Sequence, residues 1–134
     1  MDRPLSIFDI SGRAMSAQLV RLNTNASNLA NANSVASSKE AAFHPLKPIF
    51  STVTQSPGIA TVKVDKVVAT DSQPTQIHDP THPLADENGD VWSAGVDTAQ
   101  EMVEMIETSR DYQNNVQVMQ TAKALTLDTL KMER

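Results

Sequence analysis

The most constraining feature of this chain lies at its C-terminal end, where neither proline nor glycine occurs from Val96 to Met132. These are the two residues that most disfavour a helix interior, so the stretch predicts one helix from Val96 or Asp97 to about Met132. Asp97 and Thr98 are suitable N-cap residues, and Glu101 and Glu104 place negative charge in the first turns, where the helix dipole favours it. A helix of that length measures roughly 50 Å, several times the mean for a globular domain. Its faces carry a second constraint. Met102, Met105, Tyr112, Val116, Met119, Leu127 and Leu130 fall on one side, interrupted by Lys123, while Val118, Ala122, Leu125 and Met132 lie nearly opposite. A helix apolar on two sides needs cover on two sides.

The chain offers one other long helix, from about Leu5 to Ala30. There Phe8, Gly12, Met15, Leu19, Leu22, Ala26 and Leu29 alternate steps of four and three, a heptad pattern held for three heptads. One helix can cover only one side of the other. The expected architecture is therefore a coiled-coil-like pair of terminal helices whose packing is completed by neighbouring subunits. The simpler alternative is a two-helix hairpin that leaves some Leu and Met exposed. The stretch NTNASNLANANS, residues 23–34, places asparagines outside the apolar stripe: Asn25 flanks it, and Asn28 and Asn31 point away. Small amide side chains at such positions suit close packing in which hydrogen bonds fix the register between chains. Asn33 would return to the stripe. The helix is thus expected to end just before it, with asparagine tolerating the left-handed turn that often closes a helix.

Residues 34–95 hold six of the seven prolines, which excludes a long helix there. ATVKVDKVVA, residues 60–69, has the β-branched content of a strand, the segment from Ile49 to Val53 is a weaker candidate, and Asn88-Gly89 marks a tight turn. The expected fold is mainly α with a small β-rich insert. Its three parts are an N-terminal assembly helix (1–33), a proline-rich insert (34–95) and a C-terminal assembly helix (96–134).

No reaction can be read from the chain. IHDPTHP groups His78, Asp79 and His82, but Pro80 and Pro83 deny the segment a helix on which a histidine pair would share a face, so solvated loop histidines are expected and no metal site. An EF-hand loop starting at Asp86 fails, with Val91 where glycine is required and Asp97 where a bidentate glutamate is required. There is no GxSxG, GxGxxG or GxxxxGK[ST], so neither a catalytic triad nor a phosphate cradle is expected, and no cofactor or small-molecule substrate. The net charge of −5, without a Lys/Arg cluster, argues against nucleic acid. The absence of cysteine removes disulfides and thiolate ligands. The N-terminus does not read as a cleaved signal peptide, and no window is apolar enough for a transmembrane helix.

SNLANANS, DPTHPLADENGDVW and VDTAQEMVEMIETSRDYQNNVQVMQTAKAL, in that order, closely resemble the bacterial flagellar rod and hook proteins, with HPLADENGDV most similar to the proximal rod subunits. The shared positions are Ser27, Asn28, Leu29, Ala30 and Asn31 on the first helix, and Val96, Asp97, Glu101, Met102, Met105, Arg110, Tyr112, Asn115 and Thr121 on the second. The resemblance implies a non-enzymatic structural subunit, required for motility. It would be exported without a cleaved signal by the flagellar type III apparatus and polymerise in the periplasm, around the export channel, into the basal-body rod. Implied partners are copies of itself, other rod proteins, the inner-membrane ring and rod-adaptor proteins at the base, and the export apparatus. Implied subunit contacts fall on Phe8, Met15, Leu19, Leu22, Asn25, Ala26, Asn28, Leu29 and Asn31, and on Met102, Met105, Tyr112, Val116, Val118, Met119, Ala122, Leu125, Leu127 and Leu130. Ser34, Val35 and Ala36 depart from the family pattern, leading to Phe43 without a glycine. A non-polymerising helical adaptor, or another rod paralogue, is the alternative.

Overall fold

A computed structural model describes residues 6–133. The elements run α1 (Ile7–Ala30), β1 (Val35–Ala36), β2 (Leu46–Ser56), β3 (Ile59–Ala69), β4 (Thr75–His78), β5 (Asp90–Ser93) and α2 (Thr98–Met132). The expected helix start at Leu5, and the outermost parts of the two terminal regions (1–5 and 134), lie outside the described residues.

Both helix starts are capped by side chains. Ser6 and Asp9 form a reciprocal capping box, in which the Asp9 N–H donates to Ser6 Oγ (3.1 Å) and the Ser6 N–H to Asp9 Oδ2 (3.0 Å). Asp97 caps α2 by accepting from the Gln100 N–H at 3.2 Å. At its end, α1 differs from the sequence expectation. It closes on Asn31 at φ −100°, without a left-handed residue, because the Asn31 amide itself donates to the Ser27 carbonyl (2.8 Å).

The expectation of a mainly α fold with a small β insert is corrected by the structure. Strands take up 25% of the described residues and helices 46%, and the strands form two antiparallel sheets. The larger one is a hairpin of two eleven-residue strands, β2 and β3, in register from Leu46↔Ala69 to Ser56↔Ile59, turning through Pro57 and Gly58 (φ +83°). Proline 57 pre-sets the first turn position and glycine supplies the positive φ of the second. Pro48 reads as a strand breaker in the sequence, yet it lies inside β2 opposite Val67. Each strand of a two-stranded hairpin has a free edge, where a missing N–H removes no ladder bond.

The second sheet has the order β1-β5-β4. Val35 and Ala36 pair with Ser93 and Trp92, and the Ala94 N–H donates to the Ser34 carbonyl (3.1 Å), so the exit of α1 is tied to the approach to α2. Val91, Ala42 and Ala94 are buried around this tie. Gly95 makes it possible: a Cβ there would sit 2.6 Å from Ser72 Oγ and 2.9 Å from the Gln73 carbonyl oxygen. The turn expected at Asn88-Gly89 is present, with Gly89 at φ +78° and the Asp86 carboxylate accepting from the Asn88 and Asp90 N–H groups.

α1 is the central element. α2 and the β2–β3 hairpin both pack on it and do not pack on each other.

Candidate functional site: the helix pair and its uncovered faces

The helices run antiparallel, with the second half of α1 beside the first half of α2. The layer between them is polar. Asn28, 1% exposed, accepts from the Leu46 N–H (2.8 Å) and donates to the Leu46 carbonyl (2.9 Å) and to Glu101 Oε1 (3.2 Å). Asn25 donates to Glu101 Oε2 (2.9 Å) and Glu104 Oε2 (3.3 Å). Glu101, 7% exposed, is thus a buried carboxylate held by two amides near the positive end of α2. One asparagine joins three elements: α1, α2 and the first residue of β2. The amides expected to fix register between chains make these hydrogen bonds within the chain.

The buried phase of each helix is a repeat of polar and small residues. On α2, Glu101, Thr108 and Ala122 are buried, with half-buried Asn115 completing a seven-residue spacing. Thr108 turns its hydroxyl to the Glu104 carbonyl at 2.7 Å, as Thr24 does to Val20 on α1. On α1 the buried residues are Ser11, Ala17, Thr24, Asn25 and Asn28. Small side chains let backbones approach, and each polar group buried there must be satisfied locally. Ala17, together with Gly12, Ser16 and Val20, lines the groove under Val62 and Val64 of the hairpin.

The apolar stripes read from the sequence lie outside this layer. Phe8 and Leu19 are exposed, Ala26 is exposed, and Met15, Leu22 and Leu29 are half-buried. Phe8 and Met15 meet Val116 and Met119 of α2 along an almost wholly apolar groove of about 440 Å³. Met105, Tyr112, Val116 and Met119 are half-buried, whereas Met102, Val118, Leu125, Leu127 and Leu130 are exposed, Leu125 by 62%. Every residue from Lys123 to Glu133 is exposed, so among the described residues nothing covers the last three turns of α2. Val103 and Ile106, not singled out in the sequence, are also exposed, opposite the seam. Their period places them on a third side of α2, which a reading limited to two apolar faces passes over.

The histidines are dispersed. His78 Nδ1 lies 2.9 Å from Asp90 Oδ1, His82 Nδ1 accepts from the Leu84 N–H (3.0 Å), and His44 Nδ1 is 3.1 Å from the Ser72 carbonyl oxygen. Among the described residues no group of three or more His, Asp or Glu side chains is placed to hold a metal, and no helix is long and apolar enough to cross a membrane.

A helix pair joined through hydrogen-bonded Asn25, Asn28 and Glu101, with apolar outer faces left open along most of one helix, defines a structural assembly subunit. Comparison with known proteins gives the particular family. Residues 8–36 match the family described as flagella basal body rod protein, and residues 87–132 match the C-terminal family of flagellar basal body rod FlgEFG proteins. The chain is 42% identical over 130 residues to the flagellar basal-body rod protein FlgC of Salmonella typhimurium and to that of Yersinia enterocolitica, covering 96% of each chain. It is 39% identical over 132 residues to that of Buchnera aphidicola from Schizaphis graminum. The chain belongs to the FlgC family of flagellar basal-body rod proteins, and is a structural subunit of the rod.

Proposed function

We propose that the protein polymerises with copies of itself and with other rod proteins into a periplasmic drive shaft around the export channel. It reaches that site without a cleaved signal, through the flagellar type III apparatus, and its lowest contacts are with the inner-membrane ring and rod-adaptor proteins. The observation that carries the proposal is the uncovered apolar surface of α2, from Met102 to Leu130, in a chain whose remaining helix packs through a polar layer. In this reading Phe8, Met15, Leu19, Leu22, Ala26 and Leu29 of α1 join Met105, Tyr112, Val116 and Met119 of α2 in one strip of subunit contact. Leu127 and Leu130 continue that strip along α2, Val118 and Leu125 make a second on the other side, and the β-containing segment 34–95 is turned outward. Burial at about 25 cal/mol per Å² makes each such contact modest, and repetition along a tube makes it stiff. The family membership supports this role, as does the length of α2 beyond its intramolecular cover.

The test is deletion followed by complementation. Loss of motility and of all structure beyond the inner-membrane ring, both restored by the intact gene, is expected. A deletion strain that swims and builds a rod would overturn the proposal.

A further inference from the structure

The hairpin has one basic face, and its lysines are exposed. Register places Lys47 opposite Val68, Ile49 opposite Lys66 and Ser51 opposite Lys63, so all three lysines share one side of the sheet with exposed Ile49. Val62 and Val64, at alternate positions, line the groove against α1, and Lys63 borders the same groove. Asp65, in the bulge, pairs with Lys63 at 3.4 Å and is the only acid among residues 46–69, within a chain of net charge −5. Its electrostatic counterpart lies on α2. Val103, Glu107 and Asp111 form one exposed i, i+4 ridge beside Ile106. α2 and the hairpin make no packing contact with each other; Lys47 borders a pocket with Glu101 and Glu104 of its own α2, which none of the ridge residues lines.

We propose that the lysine face of the β2–β3 hairpin of one copy docks on the Val103–Glu107–Asp111 ridge of α2 of a second copy. The two surfaces match in kind: an isoleucine flanked by lysines faces a valine and an isoleucine flanked by the carboxylates of Glu107 and Asp111, with exposed Arg110 beside them. The contact is heterologous, using different patches on the two copies, so it repeats in one direction and extends into a ring or helical array. Complementary charge steers the encounter and fixes the register, while the apolar centres supply burial. The proposal rests on the assembly reading above and names one of its contacts.

The chain contains no cysteine, so thiol chemistry can be placed at will. Lys66→Cys and Glu107→Cys are introduced together into a complementing gene, and isolated basal bodies are treated with a short bismaleimide. Covalent multimers of this chain are expected from the double variant and not from either single variant. Basal bodies that contain the chain but yield no multimers overturn this contact and leave the assembly role standing; basal bodies lacking the wild-type chain overturn the assembly role itself. In a second arm, Lys63→Glu with Lys66→Glu is expected to lower incorporation at least about tenfold. Adding Glu107→Lys and Asp111→Lys to the same chain is expected to restore it. Loss without restoration means that the lysine face meets an acidic surface of another protein, and the proposal falls.

Discussion

The two halves of α2 share one helix but differ in what surrounds them. From Asp97 to Ala122 the helix is capped, carries the carboxylate that joins it to α1, and buries Glu101, Thr108 and Ala122. From Lys123 to Glu133 it buries nothing. Local propensity does not explain the difference, because Ala, Leu, Lys and Met are frequent in the uncovered half and all favour helix. Isolated helical turns are marginal in water, so the second half owes its place to continuity with the first. Within one chain, then, stability comes from a small polar layer, while the apolar side chains that would ordinarily supply it are held on the outside. The division follows from assembly, since a subunit that satisfied its own apolar faces would have none left for a neighbour.

The sharpest way to break the packed half is through Asn28. Truncation to alanine strips both backbone groups of Leu46 of their partner and leaves Glu101 with one amide. Unsatisfied buried groups cost about 1–3 kcal/mol each, so Asn28→Ala is expected to lower unfolding free energy by about 3 kcal/mol in urea titration. A change below about 1 kcal/mol would mean that water enters and that the layer is not what holds the helices. Next in size is Gly95→Ala. The new methyl meets Ser72 Oγ at 2.6 Å and the Gln73 carbonyl at 2.9 Å, and a backbone neighbour cannot rotate away. A loss of about 2 kcal/mol is expected in the same titration, with the tie between β1, β5 and α2 loosened.

The polar layer also marks where sequence reading reached its limit. The long C-terminal helix, its Asp97 cap, the β3 strand and the Asn88-Gly89 turn were all legible, because each is written in local residue chemistry. The heptad of α1 was legible too, but within the chain only its first part, Phe8 and Met15, lies against Val116 and Met119 of α2. Periodicity analysis weights apolar residues, and it selects the stripe through Phe8, Met15 and Leu22. The layer inside the chain follows Asn25, Asn28 and Glu101, whose burial is favourable only because each finds a partner more than 70 residues away in sequence or on β2. Such pairing has no local signature. The extent of the β structure was underread for a related reason. Leu46–Ser56 contains a proline and little clean alternation, and it is a strand because β3 lies beside it.

The uncovered half is tested by a change that leaves stability alone. Leu127→Ser is expected to shift unfolding by less than about 0.5 kcal/mol, because Leu127 is already exposed in the single chain. The same substitution is expected to reduce incorporation into rods and swimming, read from purified basal bodies and soft-agar spreading. Amide exchange sharpens the contrast. Residues 123–133 of the monomer are expected to exchange much faster than 101–119, and the difference should close on assembly. Slow exchange of both halves in the monomer would show that α2 has cover within its own chain.

The smallest effect lies away from the helices, in the turn that leads to β5. Asp90 accepts from Gln76 Nε2 (2.6 Å) and is paired with His78 Nδ1 (2.9 Å). The hydrogen bond from His78, followed by that from Gln76, holds its carboxyl below the ordinary value of 3.8. A depressed carboxylate stabilises the folded form at pH above 3.8, and the contribution disappears as pH falls through the lower folded value. Asp90 should therefore titrate below 3.8 in an NMR experiment, and His78→Ala should move it back toward 3.8. Since the group sits at the surface, the helix pair should remain folded throughout. Joint loss of the Asn25–Glu101 contact and the Asp90 pair over the same pH range would show that the sheet and the helix layer unfold as one unit.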